Sequence, residues 1–369
     1  MNTNRSRCAG RSFFYLKEPC MGTEFIVKAE PLKKLIEELY LKTGMSDEDA
    51  KLHADGLVTA NLRGVDSHGV LRTKVYFDRF INGAVNMHPD IRLIKENRAI
   101  RVYDADRASG YVAAAYGMRK AIELAKEFGL GSVQVINSNH FGACAYFSQM
   151  AVDAGMLGFC ATNTKAMITA PGAKGNATGN NPFALGIPTF DDFVFMLDMA
   201  QSVVAGGKLK MAAAKGEKIP LTWATDIDGN PTDDPVKGFQ GFLLPAGGYK
   251  GLGIAYAIDI LCGLLSGGCF QNQVTSMFEQ KDEATNNGQI FIAADVTAIL
   301  PREEIRARMN RFREYIRSIP TNNGRPLVLP GEIEDNVMKQ RLQNGIPLPE
   351  TVYKELNQLA EEYQLHARV

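Results

Sequence analysis

Four side chains that could bind and convert a small acid lie close together in the chain: Ser67, His68, Arg72 and Tyr76. A guanidinium can hold a carboxylate through two parallel hydrogen bonds, and an imidazole or a phenol can then contact the other oxygens of the acid. If Ser67 caps a helix that begins at His68, the spacing predicts that His68, Arg72 and Tyr76 share one helix face. A capped helix start with a solvated polar face is the simpler interpretation of the same residues.

His140 is a second candidate for proton transfer. It lies in residues 137–142 (NSNHFG), directly after a buried strand that is predicted at 132–136. Catalytic groups often occupy loops that follow strands. A buried core histidine explains the position equally well, and the turn-forming residues around His140 favour a site.

Two glycine-rich segments could bring the backbone close to an anionic ligand. Residues 247–251 (GGYKG) precede an apolar helix, and Lys250 adds a positive charge, so this segment is a candidate phosphate site. It is not a P-loop, because no Ser or Thr follows Lys250, and it does not match GxGxxG. Residues 179–182 (GNNP) could equally form an ordinary turn.

Asp198 ends a strand that is predicted at 193–197. A carboxylate at a strand end can bind the hydroxyl groups of a ribose. A charged, solvated strand end explains the same residue equally well.

The elements that would position these residues divide the chain into helical and α/β parts. Apolar residues at helical spacing predict three consecutive helices, at 31–42, 46–62 and 68–80. Further strands are predicted at 100–103, 158–162 and 290–294, and further helices at 111–128, 147–154, from the glycine-rich segment to 265, at 301–319 and in two amphipathic segments near the end. The polar segment 201–245, which contains Trp223, is predicted to be an insertion or a lid, with the tryptophan anchoring it to the body of the protein.

Composition and charge argue against several classes of function. The chain has 369 residues, 45% apolar and 22% charged, which is an ordinary globular mix. Its 41 basic and 41 acidic residues give no net charge, which argues against nucleic-acid and anionic-membrane partners. The most apolar stretch, 251–265, contains Asp259, so no membrane span is predicted. The 6 cysteines show no CxxC pair or framework spacing, so we expect neither disulfides nor a zinc site, and a reducing, cytoplasmic location.

The beginning of the chain is basic, with no acid before Glu18. It faintly resembles a transit peptide but lacks a clear amphipathic pattern. Because the periodic pattern begins just after Met21, we favour Met21 over Met1 as the true start and interpret residues 1–23 as a tail.

Six motifs, in order, resemble those of the malate/L-lactate dehydrogenase family, which includes sulfolactate, ureidoglycolate and diketogulonate dehydrogenases. The motifs are residues 66–70 (DSHGV) with Arg72, 139–142 (NHFG) with Tyr146, 179–182 (GNNP), 198–200 (DMA), 247–251 (GGYKG) and 329–332 (LPGE). Each motif alone is weak, but the ordered set is specific, and the resemblance covers almost everything after Met21. Asn180 stands where many relatives carry threonine, and Gln289 where many carry histidine.

The resemblance implies an α/β fold with a mixed, largely antiparallel sheet flanked by helices, which binds NAD(P) without a Rossmann fold. It also implies a homodimer and a helical lobe built from the N- and C-terminal segments. We therefore expect residues 24–98 with 302–369 to form a helical, dimerisation lobe. Residues 99–200 with 246–301 would form the NAD(P)-binding lobe, and 201–245 would be a small inserted segment.

The resemblance also implies roles for individual residues. His140 would donate and accept the proton, and Ser67, His68, Arg72 and Tyr76 would surround the substrate and the nicotinamide. The implied cofactor is NAD or NADP, and no metal is expected. The positions expected to contact the dinucleotide are His68, Gly142, Ala143, Cys144, Thr164, Asp198, Met199, Ala200, Tyr249, Lys250, Asn287, Glu332 and Glu334.

These residues suit hydride transfer between a nicotinamide and a small 2-hydroxy acid or 2-keto acid of the malate, lactate or sulfolactate type. Arg72 would hold the carboxylate, His140 would exchange the alcohol proton, and Lys250 would bind the dinucleotide. Two alternatives stay open at this point. One is NADPH-dependent reduction of a cyclic imino acid such as piperideine-2-carboxylate, and the other is an inactive dimeric binding scaffold. The intact set of polar side chains argues against the scaffold.

Overall fold

The structure is a computed structural model that describes residues 24–369. Its strands are β1 (Glu24–Val27), β2 (Arg92–Asn97), β3 (Ile100–Asp104), β4 (Leu130–Ser138), β5 (Leu157–Thr162), β6 (Ala166–Ile168), β7 (Thr178–Gly179), β8 (Phe183–Pro188), β9 (Val194–Met199), β10 (Ala224–Thr225), β11 (Phe242–Leu243), β12 (Asn287–Ala294) and β13 (Ile346–Pro349). Its α-helices are α1 (Ala29–Leu41), α2 (Asp47–Leu62), α3 (Thr73–Ile81), α4 (Gly110–Phe128), α5 (Cys144–Asp153), α6 (Gly206–Ala214), α7 (Pro235–Gln240), α8 (Tyr249–Asp259), α9 (Arg302–Ser318), α10 (Glu332–Asn344) and α11 (Glu350–Glu362).

A mixed sheet with the strand order β2-β3-β4-β12-β5-β8-β9 forms the centre of the molecule. Within the described residues, β3 pairs with β4 in parallel, and the other neighbouring strands of this sheet pair antiparallel. A Rossmann fold has a mostly parallel sheet, so this is a different architecture. The predicted fold class, a mixed and largely antiparallel sheet flanked by helices, is confirmed.

Two helices on the sheet fix the loop that carries His140. α4 packs on β4 and β12, and α5 packs on β5 and β8. Met118 of α4, Phe147 of α5 and Phe291 of β12 are fully buried in the same core cluster. Since the His140 loop runs from the end of β4 to the start of α5, this packing sets both of its ends.

The N- and C-terminal parts of the described chain pack together beside the sheet. β1 pairs antiparallel with β13, and α11 contacts α1 and α3. Leu35, Phe77, Leu359 and Val133 belong to one core cluster, so the helices and the sheet share a continuous core. β2 lies in the 24–98 segment but pairs with β3, so this segment also supplies an edge strand. The division into lobes stays a prediction.

The segment 201–245 has secondary structure and an apolar cluster of its own. It contains α6, α7, β10 and β11, and the last two join β6 and β7 in a small four-stranded sheet. Leu209, Ile219, Ala224 and Leu243 form a separate apolar cluster there, against which Trp223 packs. This contact agrees with the predicted anchoring role of the tryptophan.

The predicted helix at 68–80 is wrong in its first part. Residues Asp66–His68 and Val70–Arg72 form two short 3₁₀ turns, and α3 begins only at Thr73. Gly69 lies between the turns in an extended conformation, and the side chain of Asn61 accepts a hydrogen bond from the amide of Val70 at 2.7 Å. A tertiary contact therefore replaces the helical hydrogen bond, and Ser67 does not cap an α-helix.

The other long helices and strands agree with the predicted pattern to within a few residues. The apolar helix that reaches residue 265 consists of α8 followed by a π-helical turn, Ile260–Leu264. No helix between residues 24 and 369 is long and apolar enough to cross a membrane. The predicted tail and the choice of start codon concern residues outside the described range.

Gly110 and Gly206 give a matched test of the packing around the His140 loop, because each is the first residue of a helix. A Cβ atom at Gly110 would lie 2.2 Å from the carbonyl oxygen of His140, whereas one at Gly206 would meet nothing within 4 Å. We expect Gly110→Ala to lower the free energy of unfolding by about 1–3 kcal/mol, which is the usual cost of adding a carbon atom to a well-packed core. Gly206→Ala should raise the free energy of unfolding by less than about 1 kcal/mol. Urea unfolding followed by circular dichroism measures both, and equal stability of the two variants would contradict the packing argument.

Candidate active site

The loop that carries Ser67, His68 and Arg72 is held by residues far away in the chain. The side chain of Asp66 accepts hydrogen bonds from Asn61 of α2 at 2.6 Å and from the guanidinium of Arg341 in α10 at 2.6 and 3.1 Å. Arg341 also donates to the carbonyl of Asn61. A Cβ atom at Gly69 would lie 2.1 Å from Oδ1 of Asn61, so only glycine fits this close approach. These contacts determine the shape of the loop.

Within this loop hydrogen bonds link Ser67 to both His68 and Arg72. Oγ of Ser67 lies 3.0 Å from Nδ1 of His68. Nε of Arg72 donates to the carbonyl of Ser67 at 2.9 Å, and its guanidinium lies 4.9 Å from the centre of the Phe278 ring. Because these contacts use Nε and the planar face of the guanidinium, its terminal nitrogens can bind an anion such as a carboxylate.

His140 lies against this loop, which joins the two parts of the candidate site. The rings of His68 and His140 are nearly parallel, with centres 5.8 Å apart and 15° between their planes. The hydroxyl oxygen of Tyr76 lies 2.6 Å from Nδ1 of His140, and the amide nitrogen of Gly142 lies 3.3 Å from the same nitrogen. In the tautomer in which Nδ1 carries the hydrogen and donates it to Tyr76, Nε2 is the ring nitrogen that can accept a proton from a substrate.

Burial and charge keep both histidines neutral. Burial is the largest cause that lowers the pKa of His140 well below its usual range, and the neighbouring His68 lowers it further. The positive charges of Arg72 and Arg79 act in the same direction. Burial, together with Arg72, lowers the pKa of His68 to about 4. Burial also raises the pKa of Tyr76 above its usual range, so the phenol keeps its proton. At neutral pH, His140 is thus an unprotonated base.

Asn139, which the sequence pattern did not single out for a role, holds the base of the His140 loop. It is buried, and its amide donates to the carbonyls of Arg107 and Ala108 at 3.2 and 3.0 Å. Its Oδ1 accepts hydrogen bonds from Arg79 and from the backbone and side chain of Thr285. One signal in the sequence pointed to this role of Asn139, a run of turn-forming residues before His140.

Several positions that the resemblance assigned to the dinucleotide lie near the ends of β5 and β9 and the start of α5. Oδ2 of Asp198, near the end of β9, accepts a hydrogen bond from the amide of Ala145 in the first turn of α5 at 2.9 Å. Met199 and Ala200 follow Asp198, while Gly142, Ala143 and Cys144 immediately precede Ala145. The desolvation of Asp198 raises its pKa to about 6, and nearby Glu334 adds to the increase.

Thr164 lies after β5 and is bound by the second glycine-rich segment. Its hydroxyl donates to Oδ1 of Asn180 at 2.8 Å, and its amide donates to Oδ1 of Asn181 at 2.9 Å. Asn180 therefore serves to position Thr164. Gln289 is buried and donates to Oγ of Ser138 and to the carbonyl of Asn139.

The start of α8 has the properties of an anion-binding site. Gly247 and Gly248 have φ values of 63° and 65°, no side chain caps the helix start, and a Cβ atom at either glycine would meet nothing within 4 Å. Tyr249 and Lys250 follow with exposed side chains. At the start of α5, by contrast, Asp198 accepts the hydrogen bond of one first-turn amide, that of Ala145. Uncapped helix amides and one lysine are donors that suit a pyrophosphate, so the chain can accept a nicotinamide dinucleotide.

Two of the remaining predicted cofactor residues have partners within the chain. Asn287 is buried, accepts a hydrogen bond from Thr285 at 2.6 Å and donates to the carbonyl of Asn163 at 2.7 Å. Glu332 is buried between Arg313 and Arg317, at 2.7 and 2.6 Å. Its other oxygen accepts a hydrogen bond from the amide of Leu329 at 2.7 Å. These contacts give Glu332 a structural role, and its contact with the dinucleotide stays a prediction.

The structure thus brings Ser67, His68, Arg72, Tyr76 and His140 into one site and gathers the residues around Asp198 into a neighbouring group. It places Glu332 in an ion-pair cluster instead. Asn61, Asn139 and Arg341 hold the two loops of the site through hydrogen bonds, and the sequence pattern assigned no role to any of them. The partners of Arg341 lie 275 and 280 residues away in the chain, so short-range spacing carries no signal for it.

Comparison with known proteins identifies the family of the chain. The family model described as malate/L-lactate dehydrogenase matches residues 27–357. A malate dehydrogenase of Pyrococcus horikoshii is 38% identical over 91% of this chain and 94% of its own length. An L-sulfolactate dehydrogenase of Methanocaldococcus jannaschii is 36% identical over 92% and 98%. The solved structure of the Methanocaldococcus jannaschii sulfolactate dehydrogenase superposes with a TM-score of 0.87 at 35% identity, covering 92% of this chain and 98% of that one. The chain therefore belongs to the malate/L-lactate dehydrogenase family of oxidoreductases.

Proposed function

We propose that this enzyme interconverts a small 2-hydroxy acid and the corresponding 2-keto acid, of the malate, lactate or sulfolactate type, with NAD or NADP. The proposal rests on one observation: the neutral base His140 lies beside the loop that carries His68 and Arg72. An anion-binding guanidinium next to a proton-exchanging imidazole matches the two ends of a 2-hydroxy acid. The names of the relatives support the same class of substrate.

Each side chain has a distinct part in the proposed reaction. Arg72 binds the carboxylate through its terminal nitrogens, while His68 and Ser67 donate hydrogen bonds to substrate oxygens or to the carboxamide of the cofactor. When the hydroxy acid is oxidised, Nε2 of His140 takes the proton of the hydroxyl group, and the hydride leaves the carbon that carries this hydroxyl. In the direction of reduction, protonated His140 returns the proton to the developing alkoxide and stabilises its charge.

The pKa of His140 suits the first of these steps. A base with a lowered pKa is unprotonated at neutral pH, so it can accept the hydroxyl proton without first losing one. In this step Nδ1 carries the hydrogen of the neutral ring and donates it to the hydroxyl oxygen of Tyr76, so Nε2 has a lone pair that can accept the proton of the substrate. When bound, the nicotinamide supplies or accepts the hydride.

We also propose that the enzyme is a homodimer. The surface of the helix from α8 through its π-helical turn carries an apolar stripe at helical spacing, formed by Ile254, Ile260, Leu261, Leu264 and Leu265. Leu265 alone is 68% exposed. Contiguous apolar stripes of this kind are usually covered by another protein surface, and a second copy of the chain fits the resemblance stated above.

Light scattering tests the dimer. We expect about twice the mass of the 40.4 kDa chain, and a shift toward one chain in Leu264→Lys, because burying the ammonium in an apolar contact is unfavourable. Ile299→Lys is the control, since Ile299 is 78% exposed but lies outside the stripe. A wild-type mass of one chain, or monomers in both variants, would contradict the proposal.

A substrate panel tests the reaction itself. Oxaloacetate, pyruvate, sulfopyruvate, ketopantoate and piperideine-2-carboxylate are each assayed with NADH and with NADPH, following the absorbance of the reduced nicotinamide. We expect at least one 2-keto acid to be reduced. Turnover of the cyclic imine alone would support the imino acid reductase instead, and no binding of either cofactor in a fluorescence titration would support the inactive scaffold.

Two variants separate proton transfer from substrate binding. His140→Ala should lower kcat by about 10²–10⁴-fold while cofactor binding is retained, because general acid–base catalysis contributes an effect of this size. Arg72→Lys should instead raise KM for the acid by about tenfold, since an ammonium cannot form the two-pronged contact of a guanidinium. The measurements are steady-state kinetics on whichever acid the panel identifies.

Each variant has its own contrary outcome. Near-normal turnover by His140→Ala would remove this residue from the proton-transfer step. An unchanged KM in Arg72→Lys would remove Arg72 from carboxylate binding. Each variant serves as the other's control, because a general loss of structure would reduce cofactor binding in both.

A further inference from the structure

Arg79 of α3 carries a buried positive charge that neither the motifs nor the proposed reaction uses. Its side chain is 2% exposed. In the described part of the chain, its guanidinium forms no ion pair at hydrogen-bond distance, and Asp282, an acid whose charge acts on it, is exposed. A buried cation without a carboxylate partner is energetically unfavourable unless its hydrogen bonds are satisfied. The groups that accept hydrogen bonds from Arg79 therefore indicate its role.

Three acceptors from two segments satisfy this guanidinium. Nη2 donates to Oδ1 of Asn139 at 3.2 Å and to the carbonyl of Glu283 at 2.7 Å. Nη1 donates to the carbonyl of Gln280 at 2.5 Å. One planar group thus binds the residue next to His140 and two points on the loop formed by residues 274–286, which connects a 3₁₀ turn at Gln271–Gln273 to β12. A lysine ammonium lacks the planar fork of donors with which the guanidinium binds these three acceptors.

The 274–286 loop lies against the candidate site. Its Phe278 stacks on the guanidinium of Arg72, and its Glu279 pairs with Lys165, which follows Thr164. Hydrogen bonds from Thr275 to the backbone of Ala284 and Thr285 close the loop on itself at 2.9 and 3.1 Å. Met277 is buried in the main core cluster. The loop is therefore compact, and the hydrogen bonds of Arg79 join it to α3.

We propose that Arg79 is a positioning residue of this enzyme: through Asn139 and the carbonyls of Gln280 and Glu283, it holds the 274–286 loop against the His140 loop and so sets the placement of Phe278 over Arg72. The inference rests on the proposed roles of His140 and Arg72. Arg79 touches neither substrate nor cofactor in this arrangement, and it acts through the segments that it joins.

The charge of Arg79 gives it a second effect on the same site. The groups that face His140 are Tyr76 and Arg79 from α3, and His68 and Arg72 from the two 3₁₀ turns. Among them Arg72 and Arg79 are permanently positive, and both lower the pKa of His140. Loss of one positive charge makes the imidazolium form more favourable, so the pKa of His140 rises. This predicts a signature that a merely structural arginine would not have.

Two substitutions separate the hydrogen bonds from the charge. Arg79→Lys keeps the charge but cannot form the three-acceptor contact, and Arg79→Met removes both. The first readout is hydrogen exchange of the 274–286 amides, measured by mass spectrometry. The second is the titration of the His140 ring, followed by NMR. Neither readout needs a substrate, so failure of this inference can be distinguished from failure of the proposed function. Arg101→Met is the control, because Arg101 of β3 pairs with Glu96 on the edge hairpin.

In both Arg79 variants we expect faster exchange of the 274–286 amides and, with the identified acid, a KM increase that exceeds the loss of kcat. Only Arg79→Met should raise the pKa of His140 toward its usual range, because it removes a neighbouring positive charge. The acid limb of kcat/KM for hydroxyacid oxidation then moves to higher pH, because the base becomes protonated at a higher pH. Arg101→Met should change none of these quantities.

Wild-type exchange of the loop in Arg79→Lys would overturn the positioning role. An unchanged His140 titration in Arg79→Met would overturn the electrostatic one. If Arg79→Met does not fold, as judged by circular dichroism, Arg79→Lys still decides whether the hydrogen bonds hold the loop.

Discussion

The hydrogen bond between Tyr76 and Nδ1 of His140, 2.6 Å long, is the contact on which the candidate site depends. It joins residues 64 positions apart and connects α3, in the helical part of the molecule, to the loop that follows β4 in the sheet. It occupies one nitrogen of the imidazole and leaves the other for the substrate. Without it, His140 would lack a fixed orientation relative to His68 and Arg72, and binding and proton transfer would no longer share one geometry.

The surroundings of this bond explain how a neutral base can exist between positively charged groups. Burial disfavours the imidazolium, and the nearby guanidiniums oppose a second positive charge. The guanidiniums are in turn held by carbonyl and amide oxygens, such as those of Ser67 and Asn139, more than by carboxylates. A carboxylate in the site would raise the pKa of His140, so the scarcity of acids around it is part of its chemistry.

The C-terminal part of the chain takes part in the site without touching the reacting groups. Arg341 of α10 binds Asp66, and β13 pairs with β1 to bring the two ends of the described chain together. The loop with Ser67 and His68 is therefore shaped by a residue 275 positions away. This explains why the predicted helix at 68–80 was wrong in its first part. Local spacing favoured a helix, and the contacts of Asn61 and Arg341 stabilised two 3₁₀ turns in its place.

The prediction from the sequence was good where the signal was local. Periodicity located β3, β4, β5 and β12 and the long helices, because most of them bury one face or are wholly buried, and burial imposes a repeat on the sequence. α9 was located by the same repeat although none of its residues is buried. Short β1 and β13 had no such repeat and were not predicted. Glu332 shows the same limitation in the site: the motif marked the residue, but its role follows from Arg313 and Arg317, which the motif does not contain.

The sequence by itself determined the class of the fold, the family and the side chains able to do the chemistry, because residue types and ordered motifs are properties of the chain. Only the tertiary structure decided which nitrogen of His140 is free, how Arg72 presents its terminal nitrogens, and that Arg79 ties the 274–286 loop to the site. These depend on hydrogen bonds between segments that are remote in sequence, and the direction of a hydrogen bond is fixed only when both segments have folded.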